Sequence, residues 1–196
     1  MAQNSKTPPQ AGESLKNLTR FFKREKIDFC LIGGFALGFY GLGRFTKDID
    51  FKIAVRPQHW PHLKEKFLQT KEVSDLKIHY ISDPKVPDLI RYQWNRYPID
   101  LLVANTDYQI EVIKRAKKFV FEDHSMKVAS PEDLIILKLI AHRAQDLVDI
   151  QTIMENIQPL NRRYISKWVK IWEVEKIWAN FPSRKKKNRS EKNIRK

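Results

Sequence analysis

Phe29-Cys30-Leu31-Ile32-Gly33-Gly34, followed fourteen residues after the second glycine by Asp48-Ile49-Asp50-Phe51-Lys52-Ile53, decides how this chain folds. The first run reads as a short buried strand ending in two consecutive glycines, and Phe35 to Tyr40 is able to start a helix behind them. Glycine has no Cβ, so the backbone can turn sharply there and its N–H groups can approach an anion with no side chain in the way. Alone, the pair reads equally well as a tight strand-to-helix turn. The second run alternates polar and apolar residues over 48–53, which is strand periodicity. Both carboxylates, Asp48 and Asp50, then point to one face, while Ile49 and Phe51 point to the other.

Two neighbouring carboxylates repel each other, and hard oxygen ligands at this spacing suit Mg²⁺, which takes its remaining ligands from water and substrate phosphates. An isolated Asp-x-Asp reads as readily as two solvated acids. Here the flanking apolar residues mark the other face as core, and the glycine turn supplies a seat for phosphate. A third acid, Asp100, lies in the apolar run Tyr97-Pro98-Ile99-Asp100-Leu101-Leu102-Val103, where burial is costly unless the carboxylate is paired or binds a metal. Three strand carboxylates beside a glycine turn describe a two-metal phosphoryl-transfer site.

Outward from this centre, helical spacing covers Ser14 to Lys26, with Ser14 placed to cap, and also Pro57 to Thr70 and Tyr108 to Ala116. Lys77 to Ile81 and Leu89 to Tyr92 read as strands, and Phe119 to Phe121 with Met126 to Ala129 as a hairpin around 122–125. Ser130-Pro131-Glu132-Asp133 is a helix start, with serine as cap, proline in the first turn and an acid at the third position. Leu134 to Asn156 is expected as one helix and Asn161 to Trp178 as a second. Strands first and helices last give an α/β (α+β) chain in four parts. These are a disordered leader at 1–13, an α/β domain with a mixed sheet flanked by helices at 14–125, a helical subdomain at 126–180 and a basic disordered tail at 181–196.

Of 196 residues, 42% are hydrophobic and 11% aromatic, which excludes wholesale disorder; the single cysteine, Cys30, excludes an internal disulfide or a cysteine metal cluster. Cys30 falls in a buried strand and reads as inert. The five histidines have no ligand spacing. His142 and Arg143 could face a cleft, although a packed or solvated role is the preferred reading. The longest uncharged stretch, 29–43, has 15 residues and holds five of the six glycines, too short and too glycine-rich to span a bilayer. No apolar h-region stands at the N-terminus, so a cytoplasmic location is expected and no membrane partner. Net charge is +14, and 181–196 alone carries eight Lys/Arg against one acid. Such a segment is either a solvated end or an electrostatic handle for a polyanion.

Taken together, Gly33-Gly34, the run Arg44-x-Thr46-x-Asp48-x-Asp50 and the later Asp100 resemble the nucleotidyltransferase signature of the DNA polymerase β superfamily. The second half, Ser130 to Ile150 with Lys138, Arg143, Asp146 and Asp149, is similar to the AbiEii-type and minimal nucleotidyltransferases. The resemblance spans about residues 14 to 170. It implies that Asp48 and Asp50 bind two Mg²⁺ ions and that Asp100 completes the catalytic site. It further implies that Gly33, Gly34 and Thr46 hold the triphosphate of an NTP, ATP among them, that Lys138 reaches a phosphate, and that Arg44 and Asp146 also belong to the nucleotide-binding set. Asp146 and Asp149 lie three apart on one helix face; Asp146, two turns after Lys138, is preferred as its partner, and a surface network of Lys138, Arg143 and Asp146 is the competing reading. Toxin-type members are longer after the lysine-bearing helix. The expectation is Mg²⁺-dependent transfer of a nucleoside monophosphate to a hydroxyl of RNA, bound through the tail, with an antitoxin as a further partner. An antibiotic-sized acceptor stands second, and a non-catalytic RNA-binding module that keeps the fold stands third.

Overall fold

The computed structural model describes residues 9–121 and 123–182 of the chain. Its strands are β1 (Asp28–Ile32), β2 (Ile49–Ala54), β3 (Val73–His79), β4 (Leu89–Trp94), β5 (Tyr97–Val103), β6 (Lys117–Phe121) and β7 (His124–Val128). They form one mixed sheet in the order β3-β4-β5-β2-β1-β7-β6. β2 runs antiparallel to β1 and parallel to β5, and β7 joins β1 in parallel. The expected mixed α/β sheet with flanking helices is therefore present.

α1 (Pro9–Arg24) closes one face of the sheet. Its Phe22 ring lies 5.0 Å from Phe29 and 5.2 Å from Phe51, and Phe21 stacks at 5.2 Å on Phe67 of α3 (Trp60–Gln69). This aromatic layer removes the apolar face of β1, β2 and β4 from water, which is the main stabilising contribution here. Strand alternation leaves Asp50, Asp100 and Arg91 on the opposite face, where the register sets Asp50 beside Asp100 and Asp100 beside Arg91. α2 (Gly33–Phe39) and α4 (Asp107–Arg115) also pack against β1 and β2.

Several boundaries differ from expectation. α1 begins at Pro9, with Ala11 fully buried, so Ser14 is not a cap; it is buried mid-helix and its hydroxyl donates to the Trp94 carbonyl at 3.4 Å. The single helix expected over 134–156 is two: α5 (Pro131–Ala141) and α6 (Ala144–Asn156), separated by His142 at φ 49°. The helix expected over 161–178 breaks at Glu173, φ 55°, into α7 (Arg162–Ile171) and α8 (Glu175–Trp178). The cap at Ser130 is as expected, its side chain accepting from the Asp133 N–H, and Asn161 caps α7 by accepting from Tyr164. Phe181, expected as the start of the tail, packs 6.2 Å from Trp178, and its carbonyl accepts from Arg162 at 2.9 Å. Segments 1–8 and 183–196, which hold most of the expected leader and tail, lie outside the described residues.

A buried node ties the last helices to the sheet. Asp133, fully buried, accepts from Ser130 Oγ at 2.6 Å, Tyr164 Oη at 2.7 Å and Arg115 Nε at 3.2 Å, and Arg115 also sits 3.8 Å over the Tyr164 ring. Residues from α4, α5 and α7 thus meet at one carboxylate. Asp133→Ala is expected to lower stability by about 2 kcal/mol, because it strands a half-buried guanidinium and two hydroxyls. Chemical denaturation of the two proteins checks this, and a loss below about 1 kcal/mol contradicts it.

Candidate active site

The strand order brings the three predicted carboxylates together: Asp48, Asp50 and Asp100 each offer an oxygen, all within 4.8 Å of one another. Asp48 precedes β2, Asp50 is its second residue and Asp100 is its neighbour on β5. Burial, together with the neighbouring Asp48 and Asp100 carboxylates, pushes Asp50 up to about 7, against the pull of Arg143 and Lys138. A cluster of acids with too little countercharge and with oxygen donors in reach fits a hard divalent cation.

Gly33 and Gly34 form the floor of this cluster. Gly33 sits at φ 69°, and a Cβ there would meet the Asp50 carboxylate, its Cγ at 2.8 Å; a Cβ on Gly34 would meet Thr46 Oγ1 at 2.8 Å and Thr46 Cβ at 2.9 Å. Only a residue without a side chain leaves room at these two points. Thr46 in turn donates to Asp48 Oδ1 at 3.2 Å. The predicted glycine turn, Thr46 and the acid pair therefore form one continuous patch. Gly33→Ala should cut catalytic rate by roughly 10²-fold, since even a displacement of about 1 Å at reacting groups has that effect. Steady-state kinetics checks it, and a rate within about threefold of the parent would show that the turn tolerates a side chain.

Sequence reasoning missed Arg91. Its guanidinium forks onto Asp100, Nε to Oδ1 at 2.8 Å and Nη2 to Oδ2 at 2.6 Å, and so fixes the carboxylate plane. The signal existed only in the pairing of β4 with β5, which sets Arg91 directly opposite Asp100. Lys52 shows in the sequence only as part of the alternation. It stands two residues beyond Asp50 on the same face, is buried, and has its ammonium pushed down to about 8 by that burial.

The second predicted cluster is also present, in a different arrangement. Lys138 on α5 is buried, and its Nζ donates to Asp149 Oδ2 at 2.5 Å and Asp146 Oδ1 at 3.2 Å. Asp146 does partner Lys138, as expected, and Asp149 holds the same ammonium with the shorter contact. The network is not on the surface, since Lys138, Asp146 and Asp149 are all buried. Arg44, expected among the nucleotide-binding residues, forks onto Asp149 at 2.8 and 2.9 Å, and Arg143 pairs with Asp146 at 2.7 Å. The Arg143 side chain is largely exposed, as its solvated reading expects, yet its field also reaches Asp50 and Asp48. Cys30 is buried, and desolvation pushes its thiol up to about 12, consistent with an inert packing residue.

Burial tends to raise Asp149, but its hydrogen bonds from Arg44, Lys138 and Gln145 overcome this and hold it down to about 2. An acid held low in the fold stabilises it above the unfolded pKa of about 4, and this stability is lost as pH falls through the folded value. Asp149→Asn should therefore flatten the fall in melting temperature between about pH 4 and 2. An unchanged acid profile in that variant would remove Asp149 from the network.

Residues 18–170 match the family described as "Nucleotidyl transferase AbiEii toxin, Type IV TA system". No curated protein matches the chain. Among solved structures, the chain is similar to an antigenic nucleotidyltransferase-like protein from Paracoccidioides brasiliensis, at 17% identity and TM-score 0.51 over 86% of this chain and 89% of that one. It is also similar to the lincosamide antibiotic adenylyltransferase LnuA, solved with lincomycin bound, at 15% identity and TM-score 0.52 over 74% and 97%. A third is the antibiotic-resistance factor ANT(2'')-Ia, at 11% identity and TM-score 0.57 over 89% and 97%. At these identities the likeness is one of fold. Among the described residues, no helix is long and apolar enough to cross a membrane.

Proposed function

We infer that this chain, which belongs to the AbiEii nucleotidyltransferase family, transfers a nucleoside monophosphate from an NTP to a hydroxyl group of RNA with the help of divalent magnesium. The observation that carries this reading is the convergence of Asp48, Asp50 and Asp100 against the Gly33-Gly34 turn. Those three carboxylates would hold the metal. When bound, magnesium supplies Lewis acidity at the reacting hydroxyl and neutralises charge on the triphosphate. The remaining tasks fall to the chain. The bare backbone at Gly33 and Gly34 admits the phosphates, Thr46 orients Asp48, and Arg91 keeps Asp100 in one rotamer. Arg143 and Lys138 bring positive charge toward Asp50, already shared with Asp146 and Asp149, and Arg44 adds its charge at Asp149. A triphosphate entering there competes with Asp149 for Arg44.

RNA is favoured as acceptor because the whole chain carries +14, with eight Lys/Arg and one acid in 181–196. The test is incubation of the purified protein with each α-labelled NTP, Mg²⁺ and either total RNA or a panel of small hydroxyl compounds such as aminoglycosides and lincosamides. Label is expected on RNA. Label on a small compound alone overturns the acceptor assignment while leaving the reaction class intact. Deleting 183–196 should flatten the salt dependence of RNA binding by several units of log-log slope and raise KM for RNA, with kcat at saturation nearly unchanged. An unaltered slope would make the tail a solvated end. An antitoxin partner fits the family description, and co-purification with a neighbouring gene product tests it.

A further inference from the structure

At the end of the sheet away from the carboxylates, the last turn of α1, the start of β1 and the β6–β7 hairpin enclose a cleft of about 460 Å³. Lys23, Lys26, Lys118 and Lys127 line it, with Asp28 as the one acid among the described residues. Lys127 reaches Asp28 at 3.4 Å, and Lys23 donates to the Ser125 carbonyl at 3.3 Å. Lys26 and Lys118 are exposed and make no ion pair or side-chain hydrogen bond among the described residues. Among the described residues, four ammonium groups against one carboxylate give the cleft a surplus of positive charge.

Lys26 stands at the helix stop that forms one wall of the cleft. α1 ends with Ile27 N–H donating to the Phe22 carbonyl at 2.8 Å and Lys26 N–H to the Lys23 carbonyl at 3.2 Å, which sets Lys26 at φ 54°. That position in a helix stop strongly favours glycine, because a side chain in the left-handed region is disfavoured. Protection of an edge strand suits lysines on β6, and the helix dipole suits Lys23 and Lys26, but neither gathers four lysines around one cleft.

We propose that this cleft binds the phosphodiester backbone of RNA, holding the body of the acceptor while its reacting hydroxyl lies at the carboxylates; the proposal rests on the RNA reading above. Mobile ammonium groups without fixed forks suit sequence-independent phosphate contacts. The five residues of β1 separate the cleft from Gly33, which is about 16 Å at strand rise, a span of a few nucleotides.

The experiment uses the full chain and a labelled single-stranded RNA oligonucleotide, with inorganic phosphate as a control. Lysine acetylation footprinting should show Lys23, Lys26 and Lys118 protected by RNA and not by phosphate alone. The double variant Lys26→Gly, Lys118→Gln should bind RNA roughly tenfold more weakly at moderate salt. Its salt slope should be lower by about 0.7 for each phosphate that is no longer neutralised. Its ATP affinity should be unchanged and its melting temperature equal or higher, because glycine relaxes the helix stop. RNA binding with these lysines still reactive, or with affinity and slope unchanged in the variant, overturns the cleft and leaves the RNA reading standing. Protection by phosphate alone also overturns it. Absence of any RNA binding by the parent chain overturns both.

Discussion

Asp50→Asn is expected to reduce nucleotidyl transfer by about 10³-fold or more while the protein remains folded, and Asp48→Asn and Asp100→Asn should do the same. Each substitution removes one negative charge from a group of oxygens that lie within 4.8 Å of one another. The metal-free Asp48→Asn and Asp50→Asn variants should therefore melt at the same temperature as the parent or slightly higher, whereas Asp100→Asn also gives up the Arg91 fork. Asp50 gives this a pH signature. Burial and its acidic neighbours raise it to about 7 in the fold, so between about pH 4 and 7 the folded state keeps a proton that the unfolded chain has released. The parent then loses stability as pH rises through that window and is level above it, and Asp50→Asn removes this slope. Mg²⁺ titration of the parent below pH 7 should release protons, and that release should be absent in Asp50→Asn. Full activity in any one variant would take that residue out of the site.

Lys138→Ala is the second large effect, and it falls on stability. The buried ammonium is shared by two buried carboxylates, Asp146 and Asp149, at 3.2 and 2.5 Å. Its removal leaves Asp146 to Arg143 and Asp149 to Arg44 and Gln145, so a loss of about 3 kcal/mol is expected, read as a fall of roughly 6 to 12 °C in melting temperature. In Lys138→Met with Asp146→Asn the stranded charge is reduced and part of the loss should return. A change below about 1 kcal/mol in Lys138→Ala would show that the lysine holds no structural charge and is free for a phosphate. NTP affinity in the refolded variant then separates the two roles.

The site was legible where chemistry and backbone period coincide. Asp48 and Asp50 needed only the strand period, and Gly33-Gly34 only the absence of a Cβ; both sit together as expected. Asp100 was legible because an acid in an apolar strand demands a partner. That partner, Arg91, was not, because a cross-strand pair depends on register, which residues 89–103 do not display until the turn between β4 and β5 is known. That turn is Asn95-Arg96, both at positive φ, 48° and 66°, where an asparagine-glycine pair would have announced it. The same cause hid the helix breaks. Lys26, His142 and Glu173 stand in left-handed conformations usually marked by glycine, and five of the six glycines lie within 33–43. Asp149 was underestimated because its second partner, Arg44, comes from 105 residues earlier in the chain.

Parallel reactions with α-labelled and γ-labelled NTP, Mg²⁺ and RNA test the central claim most directly. Transfer of a nucleoside monophosphate predicts that the α-label becomes acid-insoluble on RNA, that the γ-label appears only in pyrophosphate, and that one pyrophosphate is released per label incorporated. Asp50→Asn should do neither. Label entering the acceptor from the γ position, or incorporation that survives in Asp50→Asn, would contradict the assignment of the carboxylate cluster to nucleotidyl transfer.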